Sequence, residues 1–145
     1  MQSLDSRQIN NGQEQAKMDL KDYFANAKGM GILATADERG KVDLAIYAKP
    51  MVIDKNTIAL VMRERLSHQN IKHNPSAAYM FIERPEDNGG VRLYLTMIRE
   101  ETNTSIVDKI IEEYPEICSY PDEANKYLVH FKVYRVRELV GGRTL

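Results

Sequence analysis

Between Val61 and Pro75 the sequence reads Val61-Met62-Arg63-Glu64-Arg65-Leu66-Ser67-His68-Gln69-Asn70-Ile71-Lys72-His73-Asn74-Pro75. Arg63 and Arg65 stand two places apart, with a hydroxyl following at Ser67. Residues of these types, so spaced, are suited to binding an anion. Guanidiniums are permanently charged, forked donors. Ser67 can cap the start of a short helix, whose free N–H groups then point toward the same place. Two guanidiniums, a hydroxyl and a helix N-terminus match a single phosphate. Charged loop residues are also often no more than solvated, and serine is common at helix starts, so spacing leaves both readings open.

A strand must deliver these residues and a helix must receive them. Thr57-Ile58-Ala59-Leu60-Val61 is a β-branched run that leads into the loop, and the helix from Ser67 ends at Asn74 because Pro75 disfavours helical backbone in the residue before it. Upstream, Leu20, Tyr23, Phe24 and Ala27 recur at helical spacing, predicting a helix near Asp19 to Lys28 that Gly29 and Gly31 stop. Ile32 to Ala36 and Val42 to Lys49 form a hairpin about Asp37-Glu38-Arg39-Gly40, with glycine where positive φ is expected. Met51-Val52-Ile53 then continues extended before the turn at Asp54-Lys55-Asn56. Downstream, Ala77 to Glu83 is a strand, Arg84 to Gly90 an exposed loop, and Val91 to Arg99 a long strand. The long strand sets Leu93, Leu95 and Met97 against a wet face of Arg92, Tyr94 and Thr96. Ser105 and Asp108 read as a capping box for a helix from Ser105 to Tyr114 that Pro115 stops and whose apolar stripe covers one end of the sheet. The final strand, Tyr127 to Arg137, alternates Val129, Phe131 and Val133 with His130, Lys132 and Tyr134, and the tail leaves it through Gly141-Gly142. Successive short strands with short turns predict an antiparallel barrel or sandwich.

The chain has 145 residues, 20 basic and 21 acidic. That length fits one domain, assigned to residues 18–145, after a lead of residues 1–17 that has almost nothing to bury and is expected to be flexible. No apolar run approaches the roughly 20 residues of a membrane helix, and the near-neutral charge gives no bulk case for nucleic acid or a membrane surface. Cys118 is the single cysteine, so no internal disulfide forms. His68, His73, His130 and Cys118 have no paired metal-ligand spacing. No amino-terminal apolar segment follows basic residues, and the expected address is the cytoplasm.

Three segments together resemble the FMN-binding split-barrel superfamily of pyridoxamine 5′-phosphate oxidase-like proteins. They are Gly31-Ile32-Leu33-Ala34-Thr35-Ala36-Asp37 with Gly40, the strand pair through Met62, and Asn70-Ile71-Lys72-His73-Asn74-Pro75-Ser76-Ala77-Ala78. The closing Arg143-Thr144-Leu145 is similar to the end of the small bacterial members. The resemblance implies a mainly β chain with peripheral helices, folded as a six-stranded antiparallel split barrel. It also implies a homodimer with FMN in a groove between subunits. Carried over by position, Ala45, Ile46, Tyr47, Ala48 and Lys49 lie along the isoalloxazine and ribityl chain, and the phosphate sits at Val61, Met62, Arg63, Arg65, Leu66 and Ser67. Asn70 fixes the helix start or the loop. Many relatives carry serine or threonine, a gap of one, then lysine, where this chain has Arg65-Leu66-Ser67; hydroxyl and cation are swapped. The substrate-phosphate and carboxy-terminal catalytic residues of the true pyridoxamine 5′-phosphate oxidases have no placeable counterpart, so that activity is not implied.

The expected function is that of an FMN-dependent oxidoreductase with an unidentified small-molecule substrate or electron donor, in which the flavin performs the redox step. Tyr47 is the side chain expected near the ring, although a strand tyrosine is more often packing. The alternatives are a non-catalytic FMN-binding or electron-carrier protein, a binder of another phosphorylated ligand such as a deazaflavin or pyridoxal phosphate, or an interaction module.

Overall fold

The computed structural model describes residues 18–102, 104–118 and 125–145. The amino-terminal lead therefore lies outside the described residues. Helix α1 (Leu20–Asn26) is capped by Asp19, whose carboxylate accepts the N–H of Asp22 at 3.1 Å. Its buried Phe24 meets Phe81 edge-on at 5.3 Å, fixing the helix to the barrel interior. Strands β1 (Met30–Ala36) and β2 (Val42–Tyr47) form the hairpin, turned at Gly40 with φ 87°. Within that turn the Asp37 carboxylate accepts the N–H groups of Arg39 and Lys41. There follow β3 (Met51–Asp54), β4 (Thr57–Arg63), helix α2 (Leu66–His73) and β5 (Ser76–Arg84). A 3₁₀ turn (Pro85–Asp87) leads to β6 (Gly89–Glu101), and helix α3 (Thr104–Glu113) with a 3₁₀ turn (Pro115–Ile117) precedes β7 (Lys126–Glu138).

Seven strands, not six, make one antiparallel sheet in the order β2-β1-β5-β6-β7-β4-β3. No ladder joins the outermost strands β2 and β3 among the described residues, so the sheet is not closed. The extra strand is the Met51–Ile53 run, which hairpins onto β4 with a register shift between Val52 and Asp54 and ends at the sheet edge. One side of the sheet holds the main core, with Leu33, Leu60, Tyr79, Phe81, Leu93, Leu95 and Phe131 almost wholly buried. On the opposite side, Val107 and Ile111 of α3 and Ile117 pack on Ala59, Val61 and Leu128 of β4 and β7. Strand β4 is thus covered on both faces, which explains its unbroken apolar sequence.

Three sequence expectations change here. Ser105 lies inside α3, which begins at Thr104, and Asp108 is paired with Lys126 at 3.2 Å. His130, read in alternation with Val129, Phe131 and Val133, is not on an exposed side: it is 3% exposed because it stands opposite Ala59 on the side that α3 covers. Neither of its ring nitrogens has a hydrogen-bond partner among the described residues, and burial, with Arg99 nearby, holds its pKa down. Arg92 is turned onto the carbonyls of Glu138 and Gly141, where it secures the carboxy-terminal tail.

Gly31 allows β1 to pass under Tyr79. The Tyr79 hydroxyl donates to the Ala48 carbonyl at 3.0 Å, just beyond β2, and a Cβ at position 31 would fall against that hydroxyl and 2.6 Å from the Tyr47 carbonyl. Gly31→Ala should therefore destabilise the fold by about 1–3 kcal/mol, as overpacking does. Urea unfolding measures this, and an unchanged midpoint would refute it.

Candidate functional site

The ends of β2 and β4 border one cleft of about 120 Å³. Ala45, Ile46, Tyr47 and Ala48 line it from the first strand, Val61 and Arg63 from the second, and Arg65 from the loop after β4. Ile117 and Cys118, which follow α3, add to the wall among the described residues. The sequence signal brought the first seven together; the last two come from a segment about fifty places away that carries no chemical motif.

Chain direction at this loop is set by Arg65, which adopts extended backbone at φ −137° and ψ −171° and occupies the N-cap position of α2 without a side-chain cap. Ser67 is consequently the second residue of the helix and not its cap. Its side chain is buried and lies near enough to the Tyr47 hydroxyl to help hold that phenol's pKa down against burial. Ser67 thus brings the first turn of α2, whose leading N–H groups have no partner within the helix, toward the end of β2. Burial raises the Tyr47 pKa, with Ser67 and Arg63 opposing, so Tyr47 is a neutral phenol at pH 7. Its hydroxyl stands at the arginine end of the cleft and can donate to an anion there.

Other expected site residues are placed differently. Met62 is fully buried in the main core, on the face of β4 opposite Val61, so only its backbone is available to a ligand. The Lys49 ammonium donates to the Ala27 carbonyl at 3.1 Å, behind the cleft. Leu66 is 53% exposed. Asn70 does not fix the helix start: its amide donates to the Thr35 hydroxyl at 3.0 Å, both buried, while Asn74 donates to the Asp37 carbonyl at 3.1 Å. These two asparagines, one turn apart on α2, anchor the helix to β1 and its turn, which is the physical content of the Asn70…Pro75 segment. Sequence reading missed Lys126, a buried cation directly across the ladder from Arg63. Side chains so paired share one sheet face, and Lys126 adds positive charge beside Arg63 while Asp108 partly offsets it.

No protein-family model and no curated protein matches the sequence. Solved structures do. An FMN-binding protein from Syntrophomonas wolfei superposes with a TM-score of 0.73 at 17% identity, over 95% of this chain and 94% of that one. A Lactobacillus delbrueckii protein named for pyridoxamine 5′-phosphate oxidase superposes with a TM-score of 0.62 at 18% identity, over 84% and 93% of the two chains. The heme storage protein HutZ of Vibrio cholerae gives a TM-score of 0.58 at 15% identity, over 83% and 95%. The chain therefore has the split-barrel fold of the pyridoxamine 5′-phosphate oxidase-like proteins. Among the described residues, no helix is long and apolar enough to cross a membrane.

Proposed function

We propose that this cleft binds the phosphate end of FMN and that the protein is an FMN-dependent oxidoreductase working as a homodimer. One observation carries the reading: Tyr47, Arg63 and Arg65 line one cleft walled by β2 and β4, and Arg65 is the N-cap residue from which α2 starts. A phosphate dianion is matched there by fixed cations and oriented donors, which the chain's overall net charge of −1 would not by itself provide. FMN supplies the hydride and electron chemistry when bound. The protein's residues hold its phosphate, orient the ring along Ala45 to Ala48 and limit access of water.

A cleft of this size seats the phosphate end, and the ring system needs further walls. A second copy would supply them. Val42, Leu44 and Ile46 form one outward row on edge strand β2, exposed at 76%, 70% and 72%, and Met30 of β1 is 50% exposed. Pairing of Ile46 with Ile32, Leu44 with Ala34 and Val42 with Ala36 extends that apolar face across β1. Contiguous apolar surface of this kind marks an interaction site, and Ile46 belongs both to it and to the cleft.

Purified protein titrated with FMN, and separately with heme, tests the cofactor. Flavin absorption that stays with the protein through gel filtration, followed by steady-state turnover of a reductant and an acceptor, is the expected result. Retention of FMN without turnover would leave a carrier, and a Soret band with no flavin retention would overturn the reading.

A further inference from the structure

The small core under α3 lies across the sheet from the main one, and beside it is a titratable group that the cleft does not use. Val107 and Ile111 of α3 and Ile117 of the following turn rest on Ala59 and Val61 of β4 and on Leu128 of β7. Alternation along β7 puts Lys126, Leu128 and His130 on that same sheet face. Lys126 is bonded to Asp108 of α3 at 3.2 Å, Leu128 packs with α3, and His130 is next in the row. His130 is 3% exposed, and its Nδ1 and Nε2 are both buried without a hydrogen-bond partner among the described residues. Its surroundings suit a neutral ring. Opposite it on β4 stands Ala59, and opposite it on β6 stands Arg99, whose charge repels an imidazolium. Glu101 of β6 is paired with Arg99 at 3.7 Å and makes no hydrogen bond to either ring nitrogen. Asp108 is held by Lys126, while Lys109, Glu112 and Glu113 of α3 and Lys132 of β7 are exposed.

A protonated His130 would be a buried cation with two N–H donors and no acceptor for either, which is strongly unfavourable. Water can relieve it only if the cover over this face gives way. That cover is α3, held by a few side chains, and the main core on the other side of the sheet does not depend on it. From α3 the chain runs through the Pro115–Ile117 turn directly into the cleft wall at Ile117 and Cys118. We propose that α3 and the turn to Cys118 form a proton-sensitive flap, which closes one wall of the cleft while His130 is neutral and lifts when His130 takes up a proton. Whatever the cleft holds, lifting the flap withdraws Ile117 and Cys118 from it. Burial, with Arg99 adding to it and Glu101 opposing, keeps the docked imidazole below its ordinary pKa. Docking is therefore unaffected by this group above about pH 6.5, the value of a free imidazole, and weakens as pH falls from there toward the docked value. Within that window each unit of pH multiplies the open fraction by up to about tenfold.

Cys118 is the single cysteine and is half-buried, so its accessibility reports the flap directly. Its reaction with 4,4′-dithiodipyridine, which proceeds in acid, is followed on the full chain at about pH 7.5 and about pH 5, on either side of the imidazole value. Each rate is divided by that of the urea-unfolded chain at the same pH, which cancels thiol ionisation. The ratio should rise about ten- to thirtyfold on acidification in the parent, and less than about twofold in His130→Leu, which fills similar space and cannot titrate. No rise in the parent overturns the proposal. An equal rise in His130→Leu also overturns it, because another group would then carry the response. Should His130→Leu fail to fold, His130→Gln takes its place, and amide exchange of the parent adds a test that needs no variant. Corrected for intrinsic rates, α3 should lose protection about tenfold at the lower pH while the central strand β5 keeps its own within about twofold. Loss in both elements, which is general acid unfolding, or in neither, overturns the proposal.

Discussion

Arg63→Ala and Arg65→Ala should each weaken FMN binding by roughly ten- to a hundredfold, and the double variant by more than either. The estimate follows from the strength of a hydrogen bond to a charged group, about 1.5–3 kcal/mol, with about 1.4 kcal/mol per tenfold in affinity. Lys126, across the ladder from Arg63, leaves some positive charge behind, so Arg63→Ala should cost the less of the two. Arg63→Lys should recover only part of the loss, because an ammonium keeps the charge and loses the fork. Ser67→Ala should cost less than either arginine. It removes no helix cap, since Arg65 holds that position, but it removes the hydroxyl beside the Tyr47 phenol. Riboflavin binding should be weak in the parent and nearly indifferent to the arginine changes. Fluorescence titration of both flavins reads all of these. Parental FMN affinity in both single variants and in the double, with the fold intact by circular dichroism, would mean that these guanidiniums do not hold the phosphate.

The strands were legible because each one alternates or is apolar throughout, and their chemistry is local. The leucine pair of β6 and the continuous run of β4 report directly on how many faces are covered. The strand number was not read from residues: the Met51–Ile53 run was visible, yet the resemblance implied six strands where the sheet has seven. At the site, the arginines were legible as types at a spacing and the β2 segment only through the family resemblance, and they do meet in one cleft. The role of Ser67 was not, because a shift of the helix start by two residues, set by the extended backbone of Arg65, converts a cap into a buried neighbour of Tyr47. Ile117, Cys118 and Lys126 arrive through tertiary packing and carry no local signal. The same holds for His68 and Glu100, which stand 32 residues apart and meet only because α2 packs beside the end of β6.

On the proposed homodimer, Val42→Lys combined with Leu44→Lys should convert dimer to monomer at micromolar concentration and, with that, lower FMN affinity. Both side chains point outward from an edge strand and are largely exposed in the single chain, so their replacement leaves the core intact and the melting temperature of the monomer fold nearly unchanged. In a dimer built on this face each would be buried. Burial of a leucine or valine is worth about 1.5–3 kcal/mol, and two such losses per subunit, with unpaired ammonium groups forced into an apolar interface, weaken association by at least about a thousandfold. A specific interface of ordinary size removes about 800 Å² from each partner, more than these two residues offer, so the adjoining surface of β1, including Met30, must take part. Neither substituted residue lines the cleft, whereas Ile46, in the same row, does. Any loss of FMN affinity in the double variant therefore reports on the missing partner and not on a direct contact. Sedimentation velocity with and without FMN decides between the possibilities. A parent that sediments as a monomer with FMN bound, or a doubly charged variant that remains dimeric, would show that the apolar row of β2 is not the subunit interface. A monomeric variant retaining parental FMN affinity would show that one chain is sufficient to enclose the cofactor.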